Sequence, residues 1–465
     1  MSVATSALNG HVGKAERVAL PEGDNVDFNA QILRQVSKLR TTYFENTALI
    51  VLLFVRSQPE LIQKYGYPAE THEVLTTDGY FLTMHRIPPR RGANRPVVLL
   101  VHGLLCSSAD WVVTGPNNGL GYILSDAGYD VWLGNTRGNV YSKRHLHLSP
   151  NDKEFWNYSW HEMGVYDVPA MVDHALNVSR QRSLYYIGHS MGGTDFYVYA
   201  STYPAYNSKI RLMVGLAPAS YSYNTSNPLF RISSFSKVGA EADMLYSSEI
   251  FPKDWAPPIL IQTFCRDMGL VQELCSAGLL LLAGTNSTQT NKKSLPVILS
   301  HFPAGASLKC WVHYGQQLRS DHLLQCTVLC VAGKFRQYDH GRQLNLKLYG
   351  TAEPPEYNTT VITAPVASYV GDGDDIIKAK AITLKKYFKS QSYAWASPVF
   401  NQQNVELITI LLFVLQDVDK LHRTLGNSVG VFRVPLPTFN HLDFLWGVDV
   451  KSLVYDSVID LMAKF

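Results

Sequence analysis

The stretch Tyr185–Gly193 reads YYIGHSMGG and places Ser190 between a glycine two positions before it and another two positions after it. Ahead of it, Ser183–Ile187 is a short β-prone apolar run. Behind it, Thr194–Thr202 reads TDFYVYAST and continues as a helix. Strand, tight turn and helix is the setting a nucleophile elbow requires: the serine is exposed on a strained turn, and the glycines let the backbone bend sharply. Gly-x-Ser-x-Gly alone is a weak signal, because glycine and serine are common. The plainer reading is a Gly-rich turn with an incidental serine, so Ser190 acquires meaning only through partners elsewhere in the chain.

Moving outward, Thr71–Pro88 (THEVLTTDGYFLTMHRIP) reads as two strands around an Asp78-Gly79 turn. Arg95–Gly103 (RPVVLLVHG) is a continuous apolar run, the pattern of a parallel strand buried on both faces. Tyr129–Asn135, Ile210–Pro218, Ala364–Gly371 and Val429–Pro435 repeat the theme, with helical segments between. This alternation predicts an α/β fold with a mostly parallel central sheet and helices on both faces. Between Pro218 and Ala364 the alternation stops; that stretch is helical, aromatic and interrupted by prolines, as an inserted cap would be.

In open parallel sheets reactive groups gather at the carboxyl ends of strands. A serine hydroxyl needs a base to take its proton, and the base needs an acceptor to hold its tautomer. Tyr369–Ile377 (YVGDGDDII) puts Asp372, Asp374 and Asp375 just after a strand, and Pro437–Gly447 (PTFNHLDFLWG) puts His441 in a turn after the last one. The order Ser, Asp, His is the order this architecture uses. An oxyanion also needs two backbone donors. Met191, the residue after Ser190, is expected to supply one, and Leu104, in the loop after the Val97–Val101 run, the other.

The 465 residues are 46% hydrophobic and 17% charged, with a net charge of +3 and no basic run suited to nucleic acid. The apolar runs Ala48–Val55 and Leu407–Leu415 are too short to span a bilayer, and Met1–Asp24 contains no apolar core of a signal peptide. Of the six cysteines, Cys326 and Cys330 lack a second pair at zinc-site spacing, so neither metal nor cofactor is expected. Asn-x-Ser/Thr sequons stand at Asn157, Asn177, Asn224, Asn286 and Asn358.

At this point the motifs taken together resemble one family. Pro59–Pro88, Leu99–Val112 (LLVHGLLCSSADWV), Tyr122–His145, Phe155–Leu176, GHSMGG and FNHLDFLWG follow, in order, the pattern of the acid lipases of the α/β-hydrolase fold, which include gastric and lysosomal acid lipases and insect relatives. The resemblance implies Ser190 as nucleophile, His441 as general base and Asp374 as its orienter, with Asp375 as the alternative. It implies a Cys265–Cys275 disulfide in the cap and a lipid ester substrate met at an oil–water or membrane surface. It also implies a secreted or lysosomal location. Residues 57–220 and 361–465 would form the hydrolase core, 221–360 the cap or lid, with the apolar run Gly278–Gly284 helping to line an acyl pocket, and 1–56 an unassigned leader. Arg137 is expected as a buried ion-pair residue, Cys106 as a small buried residue, and Asp443 as a structural group capping the next helix. Rival readings keep the chemistry with sterol esters or small esters, or keep the fold as a non-catalytic lipid-binding homologue. A dehalogenase or epoxide hydrolase would need Asp at position 190.

Three segments depart from the resemblance: 1–56, 321–332 and 386–416. The last intrudes between Asp374 and His441. Its ITILLFVLQ is what a T-rich splice-acceptor tract ending in CAG would encode, so it reads as retained intron sequence. The competing reading is a long surface loop, which loop-closure entropy barely opposes.

Overall fold

The computed structural model describes residues 57–89, 95–221, 225, 227–252, 287–291, 293–319, 334–376 and 417–465. The Cys265–Cys275 pair, the apolar run 278–284 and the segments 1–56, 321–332 and 386–416 lie outside the described residues.

Eight strands form the central sheet: β1 (Glu70–Leu75), β2 (Tyr80–Ile87), β3 (Val97–Val101), β4 (Asp130–Gly134), β5 (Leu184–His189), β6 (Ile210–Leu216), β7 (Val366–Val370) and β8 (Ser428–Arg433). Their order is β1-β2-β4-β3-β5-β6-β7-β8, and a two-residue strand, Arg144–His145, adds to β2. β1 and β2 run antiparallel to their neighbours; every pairing from β4 to β8 is parallel. All the runs read from sequence as strands are strands. β3, β4, β5 and β7 are buried along their whole length, which is why they carry almost no polar residues.

The two faces separate with a period of two residues. Val97, Leu99 and Val101 face one apolar cluster, together with α2 (Val168–Ser179) and α3 (Met191–Thr202). Val98 and Leu100 face the other, with α1 (Leu120–Asp126) and α6 (Asp456–Met462). Helix α5 (Asp417–Thr424), just before β8, buries Val418 and Leu421 in the first cluster.

The described part of 221–360 contains helices Pro228–Ser233, Ala240–Tyr246, Leu295–His301, α4 (Leu308–Arg319) and Arg342–Tyr349, plus a short antiparallel ribbon of Glu249–Ile250 with Ala306–Ser307. Helix α4 sends Cys310 and Tyr314 into the first apolar cluster, and His313 stacks on Trp160 with ring centroids 3.5 Å apart.

Arg137 is the buried ion-pair residue the sequence suggests. Its guanidinium binds Asp78 at 2.6 Å and Asp167 at 2.7 Å and lies 4.0 Å from the centroid of Tyr80. Burial pushes the Asp167 carboxyl up to about 6 although Arg137 pulls it down. Burial also opposes ionisation of Asp78, but the hydrogen bonds and charge of Arg137 outweigh it and leave that carboxyl below its ordinary value. Among the described residues no helix is long and apolar enough to cross a membrane.

Candidate active site

Ser190 stands between the end of β5 and the start of α3 with φ 50° and ψ −113°, in a region that costs a non-glycine residue ~1–3 kcal/mol. The turn is held from several sides. The Ser190 N–H donates to the Leu216 carbonyl (3.0 Å), and the Ser190 carbonyl accepts the N–H groups of Gly193 (2.9 Å) and Ala219 (3.2 Å). The strained dihedral therefore belongs to the serine. The flanking glycines serve close approach instead: a Cβ on Gly192 would lie 2.3 Å from the Val101 carbonyl oxygen, and one on Gly188 would lie 2.6 Å from the Gly192 carbonyl. They allow the helix to start directly against the end of β3.

The structure brings Asp374 and His441 together. His441 Nδ1 lies 2.7 Å from Asp374 Oδ2, and the carboxylate's other oxygen accepts the Ile376 N–H at 2.8 Å. Both side chains are buried. Gly371 and Gly373 make the meeting sterically feasible, since Cβ atoms there would strike the Phe439 and Thr438 backbone at 2.3 and 2.6 Å. The alternative, Asp375, turns its backbone carbonyl to Thr225 and Asn227, and Asp372 pairs with Arg433 at 3.1 Å.

The turn that carries His441 is locked by its flanks. Asn440 Oδ1 accepts the N–H groups of Leu442 (3.0 Å) and Asp443 (3.1 Å), while Asp443 Oδ2 accepts the Asn440 N–H (2.7 Å). Asp443 is thus structural, as expected, but Asn440 caps the turn and Asp443 reaches back. Burial pushes the Asp443 carboxyl up to about 6. Neither Asn440 nor this reciprocal pair was legible from composition or spacing.

Among the described residues no hydrogen bond joins the Ser190 hydroxyl to His441. The two are linked one residue away: His189 Nε2 lies 3.0 Å from the His441 carbonyl oxygen. Ser190 is 8% exposed, so its hydroxyl is not sealed from solvent.

On the other side of Ser190 runs the loop His102–Leu105. Gly103 lies so close that a Cβ there would sit 3.1 Å from Ser190 Cβ, and Leu105 takes φ 64°. His102 Nδ1 donates to the Gly103 carbonyl at 2.8 Å, while its Nε2 accepts from the Thr136 N–H (3.2 Å) and Asn139 Nδ2 (2.9 Å). Burial pushes the His102 imidazole down to about 4, so the ring is neutral. Neither the Leu104 nor the Met191 backbone N–H has an acceptor among the described residues. Cys106, in the same loop, is buried, and burial raises its thiol well above the ordinary value. Among the described residues no group of three His, Cys, Asp or Glu side chains is placed to hold a metal ion.

A family model described as a partial alpha/beta-hydrolase lipase region matches residues 58–115, and one described as alpha/beta hydrolase fold matches residues 96–390. The chain is 37% identical over 412 residues to Lipase 1 of Drosophila melanogaster, covering 88% of this chain and 80% of that protein. It is 34% identical over 416 residues to gastric triacylglycerol lipase of Bos taurus, covering 87% and 90%. It is 33% identical over 413 residues to Lipase lipl-1 of Caenorhabditis elegans, covering 87% and 90%. A solved structure from Sulfolobus solfataricus shares the fold at a TM-score of 0.50 with 14% identity, covering 85% of this chain and 99% of that one. The chain belongs to the lipase family of the α/β-hydrolase fold, whose members are carboxylic ester hydrolases.

Proposed function

We propose that this chain hydrolyses carboxylic esters of lipids, triacylglycerol foremost, through an acyl-enzyme on Ser190. The observation that carries the reading is the Asp374–His441 hydrogen bond, formed beside a serine held at φ 50° on a strand-to-helix turn. Substrate closes the remaining link, since nucleophile–base hydrogen bonds are often long in unliganded enzymes. Ser190 Oγ attacks the acyl carbonyl as His441 Nε2 takes its proton. Asp374 keeps Nδ1 as the donor nitrogen and stabilises the imidazolium. The Leu104 and Met191 N–H groups hold the oxyanion. Collapse of the tetrahedral intermediate releases the alcohol, which takes the proton from His441. Water, activated by the same histidine, then frees the fatty acid.

Residues 221–360 are the cap in this reading. Ile232, Phe235 and Leu245, on or beside its helices, are 65, 85 and 67% exposed, which suits a surface that meets lipid. The same reading places the chain in the secretory pathway or a lysosome-like lumen and makes its sequons candidates for glycosylation.

The test is fatty-acid release from a long-chain triacylglycerol emulsion by the full chain and by Ser190→Ala, with a sterol ester and a short-chain ester run alongside. Release from the emulsion that is lost in the variant supports the reading. Turnover of only the sterol or short ester reassigns the substrate, and turnover unchanged in Ser190→Ala overturns the mechanism.

A further inference from the structure

Three buried histidines surround the Ser190 turn: His102, His189 and His441. His102 orders the loop before Leu104. His189, the last residue of β5, has no role in the chemistry above, yet it makes the most direct connection between the elbow and the base. Its Nε2 lies 3.0 Å from the His441 carbonyl oxygen, and the two rings are 4.9 Å apart at 50°.

A carbonyl oxygen only accepts, so Nε2 carries a proton and donates it. The other nitrogen, Nδ1, has no hydrogen-bond partner among the described residues and faces Gly103, where a Cβ would stand 2.9 Å away. A second proton would bury an N–H without an acceptor, at the full desolvation cost of that group. Burial pushes the His189 imidazole well below its ordinary value; the charges of His441 and His102 push it the same way, and only the hydrogen bond to the His441 carbonyl opposes them. One neutral tautomer is left, and it is a fixed donor.

We propose that His189 is a positioning residue for His441: its Nε2–H fastens the backbone of the general base to the residue next to the nucleophile. The proposal rests on the reading of Ser190 and His441 as nucleophile and base. The other contacts of His441 do not do this. Asp374 holds the ring at one nitrogen, and the Asn440–Asp443 lock fixes the shape of the turn without fixing its distance from the elbow. The His189 bond spans 252 residues of sequence and bears on that distance directly. A misplacement of about 1 Å between reacting groups costs on the order of 10²-fold in rate, so a tether of this kind has kinetic weight.

The test compares His189→Phe, which keeps a buried flat ring without a donor, with His189→Gln, whose amide nitrogen reaches about as far as Nε2. For His189→Phe, kcat and the rate of fluorophosphonate labelling of Ser190 should fall ~10²-fold while KM stays within about twofold. His189→Gln should recover most of that loss. Equal losses in both variants would mean that packing and not the donor matters; no loss in either would mean that the bond is idle. Each of these overturns the proposal. Ring-nitrogen NMR of the wild-type chain decides the case even where His189→Phe does not fold. A single Nε2–H tautomer that stays neutral through the ordinary titration range of a histidine is expected. An Nδ1–H tautomer, or a ring that titrates like an ordinary histidine, overturns it. A wild-type chain that takes no label at all would strike the reading of Ser190 instead, and the tautomer would still report on the tether.

Discussion

Asp374 and Asp375 are adjacent carboxylates that sequence order alone treats alike, and the backbone separates them. Asp374 reaches His441 Nδ1, at 2.7 Å, while the Asp375 carbonyl is taken by Thr225 and Asn227. Asp374→Asn replaces the acceptor-only carboxylate that fixes the base's tautomer with an amide that can also donate, and should lower kcat by ~10³–10⁴-fold. Asp375→Asn should leave kcat within about tenfold. Steady-state kinetics on a soluble ester measures both. The glycine positions of the elbow show a similar limit of sequence reading. Gly-x-Ser-x-Gly suggests that the glycines bend the chain, whereas the strained residue is Ser190 and the glycines clear space for neighbouring backbone. Gly192→Ala would drive a Cβ to 2.3 Å from the Val101 carbonyl oxygen, which cannot yield without moving β3. It should destabilise the fold by about 1–3 kcal/mol and slow labelling of Ser190; thermal unfolding and labelling rate read the two effects.

Strands are the elements most legible in this sequence, because a strand covered on both faces must be apolar throughout; β3, β5 and β7 stand out for that reason. The links between elements are legible only after folding. Nothing local in Asp78, Arg137 and Asp167 announces that one guanidinium ties the β1–β2 turn to the start of α2. That clamp carries a pH dependence whose sign can be worked out. Asp78 is depressed in the folded state, so its pairing adds stability above its unfolded pKa of about 3.9 and loses it as pH falls. Asp167 is raised to about 6, so folding favours its neutral form and its contribution weakens as pH rises through that value. Removing the cation therefore hurts most when both carboxyls are ionised. Arg137→Met should cost about 3–5 kcal/mol near pH 7 and clearly less near pH 5, where Asp167 takes a proton in place of its partner. Urea unfolding at the two pH values checks the difference.

For the molecule as a whole, the α/β-hydrolase fold is legible in the order of its motifs, and Leu104, Ser190, Asp374 and His441 each follow a strand of the sheet: β3, β5, β7 and β8. The contacts that turn neighbours into a site are not legible there: the His189–His441 bond joins residues 252 apart and the Asp374–His441 bond residues 67 apart. The second distance includes Lys386–Gln416, and the pair forms across it with α5 beginning at Asp417, just after the segment ends. Deleting Lys386–Gln416 should therefore leave Ser190 labelling and ester turnover within about threefold of the full chain. Transcript sequencing will tell whether mature messages contain the segment. Covalent labelling of the purified full-length chain with a fluorophosphonate tests whether Ser190, His441 and Asp374 act as one catalytic unit. Peptide mass spectrometry should find the phosphonate on Ser190, with none in Ser190→Ala and a strongly slowed reaction in His441→Ala. An unlabelled Ser190 in folded full-length protein, or label persisting on another residue when Ser190 is replaced, would contradict it.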